Sequence, residues 1–219
     1  MIRKRYLCNV RAAPAAACLA MLCLACAVGI AACGSAREGN DGALQPGDTF
    51  VFGAFEQDGN FANGAEPVTW VVLDTDPAFG RVFAITEMSI YTMLFNSSID
   101  QGNDWATSEL HSWLTGEFAN TAFTAEERTR MVGELSLLSL DEVLAYFPTD
   151  ESRICYPSEY ARTLDVFVAG GPGCAWWLTT PGEQWYTVAR VLPDGSVWSY
   201  GDEVVGNCGG VRPVAWIRL

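Results

Sequence analysis

The last 46 residues of this 219-residue chain, Cys174 to Leu219, constrain its fold more than any other stretch. Five of the eight tryptophans lie there: Trp176, Trp177, Trp185, Trp198 and Trp216. Each large ring buries roughly 150–250 Å², so this segment is expected to supply the centre of the core. Residues 184–192 and 196–200 flank Pro193-Asp194-Gly195 and read as a β-hairpin. Residues 211–219 are apolar on both alternating sets, which predicts a strand covered on both faces. Pro213 has no amide proton to give to a ladder, so it belongs at a bulge or on an unpaired side.

The first 32 residues read as a targeting segment. Arg3, Lys4, Arg5 and Arg11 form a basic start, and an almost wholly apolar run follows, ending Ile30-Ala31-Ala32-Cys33-Gly34-Ser35. An aliphatic residue, two alanines and a cysteine followed by Gly and Ser resemble a bacterial lipobox. That resemblance implies cleavage before Cys33 and lipidation, such as palmitoylation, of its sulfur. An uncleaved membrane anchor is the alternative, because the run is about long enough to span a bilayer at roughly 20 residues. An ordinary secretory signal is the third reading; all three put the folded part outside the cytoplasm, and the lipobox ties it to the cell membrane. Removing the segment leaves nine arginines, no lysine and all 26 acidic residues, a net charge of −17. So acidic a surface repels nucleic acid, whose binding needs cations to neutralise phosphates. Residues 33–46 carry Gly and polar side chains without an apolar period and read as a flexible tether. Residues 47–219 are expected to form one globular domain.

Within that domain, residues 49–55, 67–74 and 81–86 read as strands rich in Val, Phe and Trp. The middle reads as helical. Leu110, Trp113, Leu114 and Phe118 recur at helical spacing, and Thr124/Glu127 and Ser139/Glu142 each fit a capping box. Pro157 suits the first turn of a short helix ending near Thr163. Strands, then helices, then strands again argue for an α+β fold.

Phe52-Gly53-Ala54-Phe55 with Glu66-Pro67-Val68-Thr69-Trp70, then Trp105, Ser108, Leu110, Trp113 and Phe118, then Trp176-Trp177-Leu178 and Gly210-Val211-Arg212-Pro213 with Trp216, together resemble the bacterial extracellular family called domain of unknown function 6273. The resemblance runs from Gly47 to Leu219. Its Trp-rich antiparallel ending is similar to the C-type-lectin-like superfold, which the formylglycine-generating proteins share. Shared fold does not carry function. The calcium motifs of sugar-binding lectins have no counterpart here: Glu66-Pro67-Val68 lies near the wrong end, and Asn103-Asp104-Trp105 has the letters in the wrong order. The lectin-like fold also commonly ties its late strands together, which implies a disulfide between Cys174 and Cys208 and leaves Cys155 free. Cys155–Cys174 is the competing pair.

No Cys-x-x-Cys or paired His follows the targeting segment, so neither a metal nor another cofactor is expected. His111, the one histidine, reads as lying on a solvated helix face. Nothing singles out a carboxylate pair for hydrolysis. The aromatic group around the hairpin is the best ligand-site candidate, because sugars stack their C–H faces on such rings. Trp198 and Tyr200 share one face of their strand, with Tyr186 nearby. Arg212 is either a structural clamp or a ligand-facing cation. The expected function is a surface-anchored binding or interaction module for a glycan, peptide or protein. The alternative is an extracellular enzyme, formylglycine-generating-like or a carboxylate-based hydrolase. Two facing carboxylates in a deep pocket, or a thiol pair within bonding reach, would favour the enzyme.

Overall fold

The computed structural model describes residues 43–206 and 209–219. The targeting segment, Cys33 and Cys208 lie outside the described residues. Among the described residues no helix is long and apolar enough to cross a membrane.

The fold is α+β. Its first four strands are β1 (Thr49–Phe55), β2 (Glu66–Asp76), β3 (Arg81–Thr86) and β4 (Tyr91–Met93). A helical middle follows: α1 (Glu109–Trp113), a π-helical turn (Leu114–Phe118), α2 (Ala119–Ala122) and α3 (Ala125–Arg130). Strand β5 (Met131–Ser136) then precedes α4 (Leu140–Tyr146), α5 (Asp150–Arg153) and α6 (Glu159–Thr163). The chain ends with β6 (Trp176–Pro181), β7 (Thr187–Val191), β8 (Val197–Glu203), β9 (Gly209–Val211) and β10 (Val214–Arg218). These strands make two sheets, ordered β1-β2-β3-β10-β5 and β4-β9-β6-β7-β8. The first is antiparallel throughout. The second has one parallel contact, between β6 and β9.

Local chemistry places most helix starts where the sequence puts them. Thr124 and Ser139 each accept the N–H of the glutamate three residues on, and that glutamate takes the cap's own N–H in return. At α6 the cap is Ser158, whose hydroxyl accepts from Ala161 N at 3.0 Å. Pro157 therefore precedes the cap and does not sit in the first turn, because a serine oxygen satisfies an otherwise orphaned helix N–H and proline has none to offer.

The terminal segment differs from expectation. Residues 211–219 are two strands in two sheets. Val211 ends β9 beside Tyr91, and Val214 starts β10 beside Ile85. Arg212 and Pro213 carry the chain from one sheet to the other, and the Pro213 carbonyl accepts from Thr86 N at 3.0 Å. A proline suits this crossing because no ladder needs its missing donor.

Neighbouring tryptophans on β6 serve different cores, as alternation along a strand requires. Trp177 joins Trp70, Phe95, Leu110 and Phe118. Trp176 joins Phe83, Ile85, Leu138 and Val191. Both rings are fully buried, and each indole N–H finds a carbonyl: Met93 O at 3.0 Å for Trp177 and Arg153 O at 3.2 Å for Trp176. The expectation that the Trp-rich segment builds the core is met by these two rings, while Trp185 and Trp198 stay exposed.

Candidate functional site

Strand β8 is the edge of the second sheet. Its residues Trp198 and Tyr200 point outward, 43% and 60% exposed, with ring centroids 5.7 Å apart. Trp198 donates its indole N–H to Gly201 O at 3.2 Å, which fixes the ring over the strand. Across the ladder Trp198 faces Arg190, and Asp202 faces Val188. One residue of β7 thus opposes three of β8, and the bulge turns at Gly201, where φ is 82°. A Cβ there would lie 2.7 Å from the Val188 backbone, so only glycine lets the two strands close. The bulge returns Asp202 to the Trp198 face, where its carboxylate pairs with the Arg190 guanidinium.

Arg190 is 3% exposed. Its faces lie against Phe167 and Trp177, 5.1 Å and 5.6 Å from the ring centroids. Its Nε and Nη1 make no hydrogen bond. Burial pulls the Arg190 pKa below the ordinary arginine value, and the Asp202 carboxylate opposes that shift. A buried cation held by one carboxylate and two rings is costly unless something else satisfies its donors. Arg190, Asp202, Trp198 and Phe167 line a cavity of about 430 Å³, together with Pro193 and Asp194 of the turn.

The structure therefore brings together Trp198 and Tyr200 and adds Arg190 and Asp202, which sequence reasoning missed. Tyr186 stacks edge-on with Trp185 just before β7, at the end of the hairpin away from the turn, and does not line the cavity. Arg212 lies at the crossing between the sheets. Its Nε donates to Thr86 O at 2.8 Å and its Nη2 to Glu87 O at 3.4 Å. Phe147 and Trp176 sit 5.3 Å from its guanidinium. That is the geometry of a clamp.

His111 is half-buried and not on a solvated face. Its ring meets Trp105 at 5.1 Å, and its Nε2 lies 3.5 Å from Glu134 Oε2. A 3-10 turn, Trp105–Thr107, folds the indole back over α1. Carboxylate oxygens of Glu56, Asp58 and Glu66 gather within 4.8 Å of one another. Each already accepts a hydrogen bond: Glu56 from Gly59 N at 2.7 Å, Glu66 from Gln57 N at 2.7 Å and Asp58 from Asn63 Nδ2 at 2.8 Å. They clasp the β1–β2 loop.

Cys174 sits directly opposite Cys155 in an isolated antiparallel bridge, donating its N–H to Cys155 O at 2.7 Å. Both thiols are free and buried. Cys208, the other partner expected for Cys174, lies outside the described residues, as does the lipidation site Cys33.

The folded chain is thus an α+β protein of two sheets with an aromatic, Arg-backed cleft at one sheet edge. Residues 133–219 match the family described as Domain of unknown function (DUF6273), and the resemblance carried by the motifs is borne out there. No curated protein and no solved structure matches the chain.

Proposed function

We propose that this chain is a surface-anchored lipoprotein whose C-type-lectin-like domain, residues 47–219, binds an extracellular ligand at the β7–β8 cleft. One observation carries the reading: the exposed Trp198, beside Tyr200 on the outer face of β8, lines the same cavity as a buried Arg190–Asp202 pair. Ring faces accept the C–H face of a sugar, and the charged pair offers a donor and an acceptor to its hydroxyls. A glycan suits both halves of the site, and peptide or protein ligands are the alternatives.

The enzyme alternative has less support. Asp194 and Asp202 both line the cleft, but Asp194 accepts from Ser196 N and Oγ at 3.0 Å and 2.6 Å, and Asp202 holds Arg190. Neither carboxylate is free to act as acid or base. The Cys155–Cys174 thiols do lie side by side, as a formylglycine-generating-like site would need, yet both are buried in the second core with Trp176 and Leu178 and line none of the described cavities.

The test is a binding screen of glycans and cell-wall fragments on the intact chain in detergent. Trp198→Ala and Tyr200→Ala are each expected to weaken the best hit about tenfold, since one stacking ring accounts for about 1 kcal/mol beyond area burial. Hits that bind equally well after both substitutions would place the site elsewhere, and hits confined to peptides would overturn the glycan assignment.

A further inference from the structure

A second cavity lies far along the chain from the hairpin, where β1, β4, the π-helical turn and α6 meet. Its volume is about 320 Å³. Phe55, Tyr91, Trp113 and Tyr160 supply its walls, and Glu56 and Glu117 are its two charged residues. Tyr91 stacks on Trp113 at 4.6 Å and 16°. Phe55 stands edge-on to both, at 82° and 83°, and Tyr160 tilts 53° from Tyr91. The walls thus combine stacked and edge-on rings in one aromatic cluster. No arginine lines it.

The helix is built to present this cluster. Between α1 and α2 the chain makes one π-helical turn, Leu114–Phe118. Such a turn carries an extra residue, rotates the side chains that follow it, and is frequent at functional sites. It places Glu117 at the cavity while Trp113 and Phe118 keep stacking at 5.4 Å. The Glu117 carboxylate makes no hydrogen bond or ion pair among the described residues, whereas Glu109 and Glu127 of the neighbouring helices make several. Burial is the main cause that raises the pKa of Tyr91 and of Tyr160; Tyr160 and Glu56 respectively come next, and the Glu117 charge adds to both. Glu117 is exposed, so its carboxylate stands at the open side of an aromatic-walled cavity, an arrangement complementary to a weakly hydrated cation.

We propose that this cavity binds a quaternary alkylammonium head group. Ring quadrupoles attract such a cation over their negative faces. A tetraalkylammonium needs no hydrogen-bond acceptors, which is what ring walls provide, and Glu56 and Glu117 balance its charge. The site is separate from the β7–β8 cleft and does not depend on it.

The test uses the full chain in maltoside micelles, with choline chloride as probe and 3,3-dimethylbutan-1-ol as its neutral isostere. The Trp113 indole resonance reports binding. Choline is expected to shift it saturably and to bind about tenfold more tightly than the isostere, the discrimination a cation–π site gives. Glu117→Gln should weaken choline about fivefold with the thermal unfolding midpoint unchanged, since that side chain holds no partner. Tyr160→Leu, which keeps an apolar wall, should weaken choline but not the isostere. A parallel arm with dodecylphosphocholine micelles separates sources: saturation by monomeric choline identifies a soluble or polymer-borne head group, and response to the micelles alone identifies a lipid. Equal affinity for choline and isostere, or no saturable shift with either choline or the micelles, would overturn the proposal.

Discussion

Replacing Arg212 by alanine is expected to cost about 2–4 kcal/mol, since it leaves carbonyls without donors and opens a void. Arg212 is 6% exposed, its guanidinium donates to the carbonyls of Thr86, the last residue of β3, and of Glu87, and it lies against Phe147 and Trp176. Alanine removes the donors and leaves the Thr86 and Glu87 carbonyls without them, at about 1–3 kcal/mol for each that stays dry. It also opens a void between two rings. Lysine keeps the charge but cannot reach both carbonyls with one planar fork, so Arg212→Lys should lose about half as much. Urea unfolding at neutral pH measures both. A loss below about 1 kcal/mol for the alanine variant, the range of an exposed contact, would mean that Arg212 is not the clamp and would return it to the ligand-facing role.

Non-reducing peptide mapping of the full chain after oxidation by glutathione disulfide is expected to recover Cys155 joined to Cys174. The two residues are directly opposed in an antiparallel bridge, a pairing that sets Cα atoms about 5.5 Å apart, inside the disulfide range. Contact with the Cys174 thiol lowers the Cys155 pKa to about 7 against the opposing effect of burial, with the Arg212 charge and the Ser89 amide adding to the lowering. The Cys174 thiol is pushed up correspondingly. As the chain folds and before the pair is buried, the Cys155 thiolate would attack an external disulfide and release one thiol. Cys174 would then displace the second, so that two protons and two electrons leave the pair. Closing this loop of about 20 residues stabilises the fold by roughly 3 kcal/mol in the chain-entropy model. Cys174→Ser and reduction by dithiothreitol should therefore each lower stability by that amount, and the two should not add. Recovery of Cys174 joined to Cys208, or of both thiols unoxidised, would refute this pairing.

Much of the fold was legible in the sequence because it is written locally. Strands β1, β2 and β3 follow from runs of Val, Phe and Trp, and α3 and α4 follow from their capping boxes. The hairpin follows from Pro193-Asp194-Gly195. The sheet crossing at Arg212–Pro213 was not legible, because Val211 and Val214 are both buried and give the same apolar pattern as one strand covered on both faces. Strand β5 escaped because Met131–Ser136 mixes Gly and Glu with apolar residues and shows little periodicity. The π-helical turn escaped because Leu110, Trp113, Leu114 and Phe118 fit an ordinary helix equally well.

The site divides in the same way. Trp198 and Tyr200 announce themselves on an alternating strand. Arg190 lies in Thr-Val-Ala-Arg-Val, where its neighbours are core residues and the cation looks incidental. Only the bulge at Gly201 brings Asp202 to it, and a bulge leaves no periodic trace. Tyr91, Trp113, Glu117 and Tyr160 come from three separate segments, and tertiary packing alone assembles them.

The most direct test of the β7–β8 cleft is an NMR titration that follows the tryptophan indole N–H resonances while a solubilised cell-wall glycan digest is added to the intact chain. The Trp198 indole donates to Gly201 O on the open edge of the sheet, and the Trp70 indole donates to Phe52 O in the core. Binding at the cleft predicts a saturable shift of the Trp198 indole and of Arg190 Nε–H with the Trp70 indole unmoved. A digest that binds while the Trp198 and Arg190 resonances stay in place would contradict the assignment.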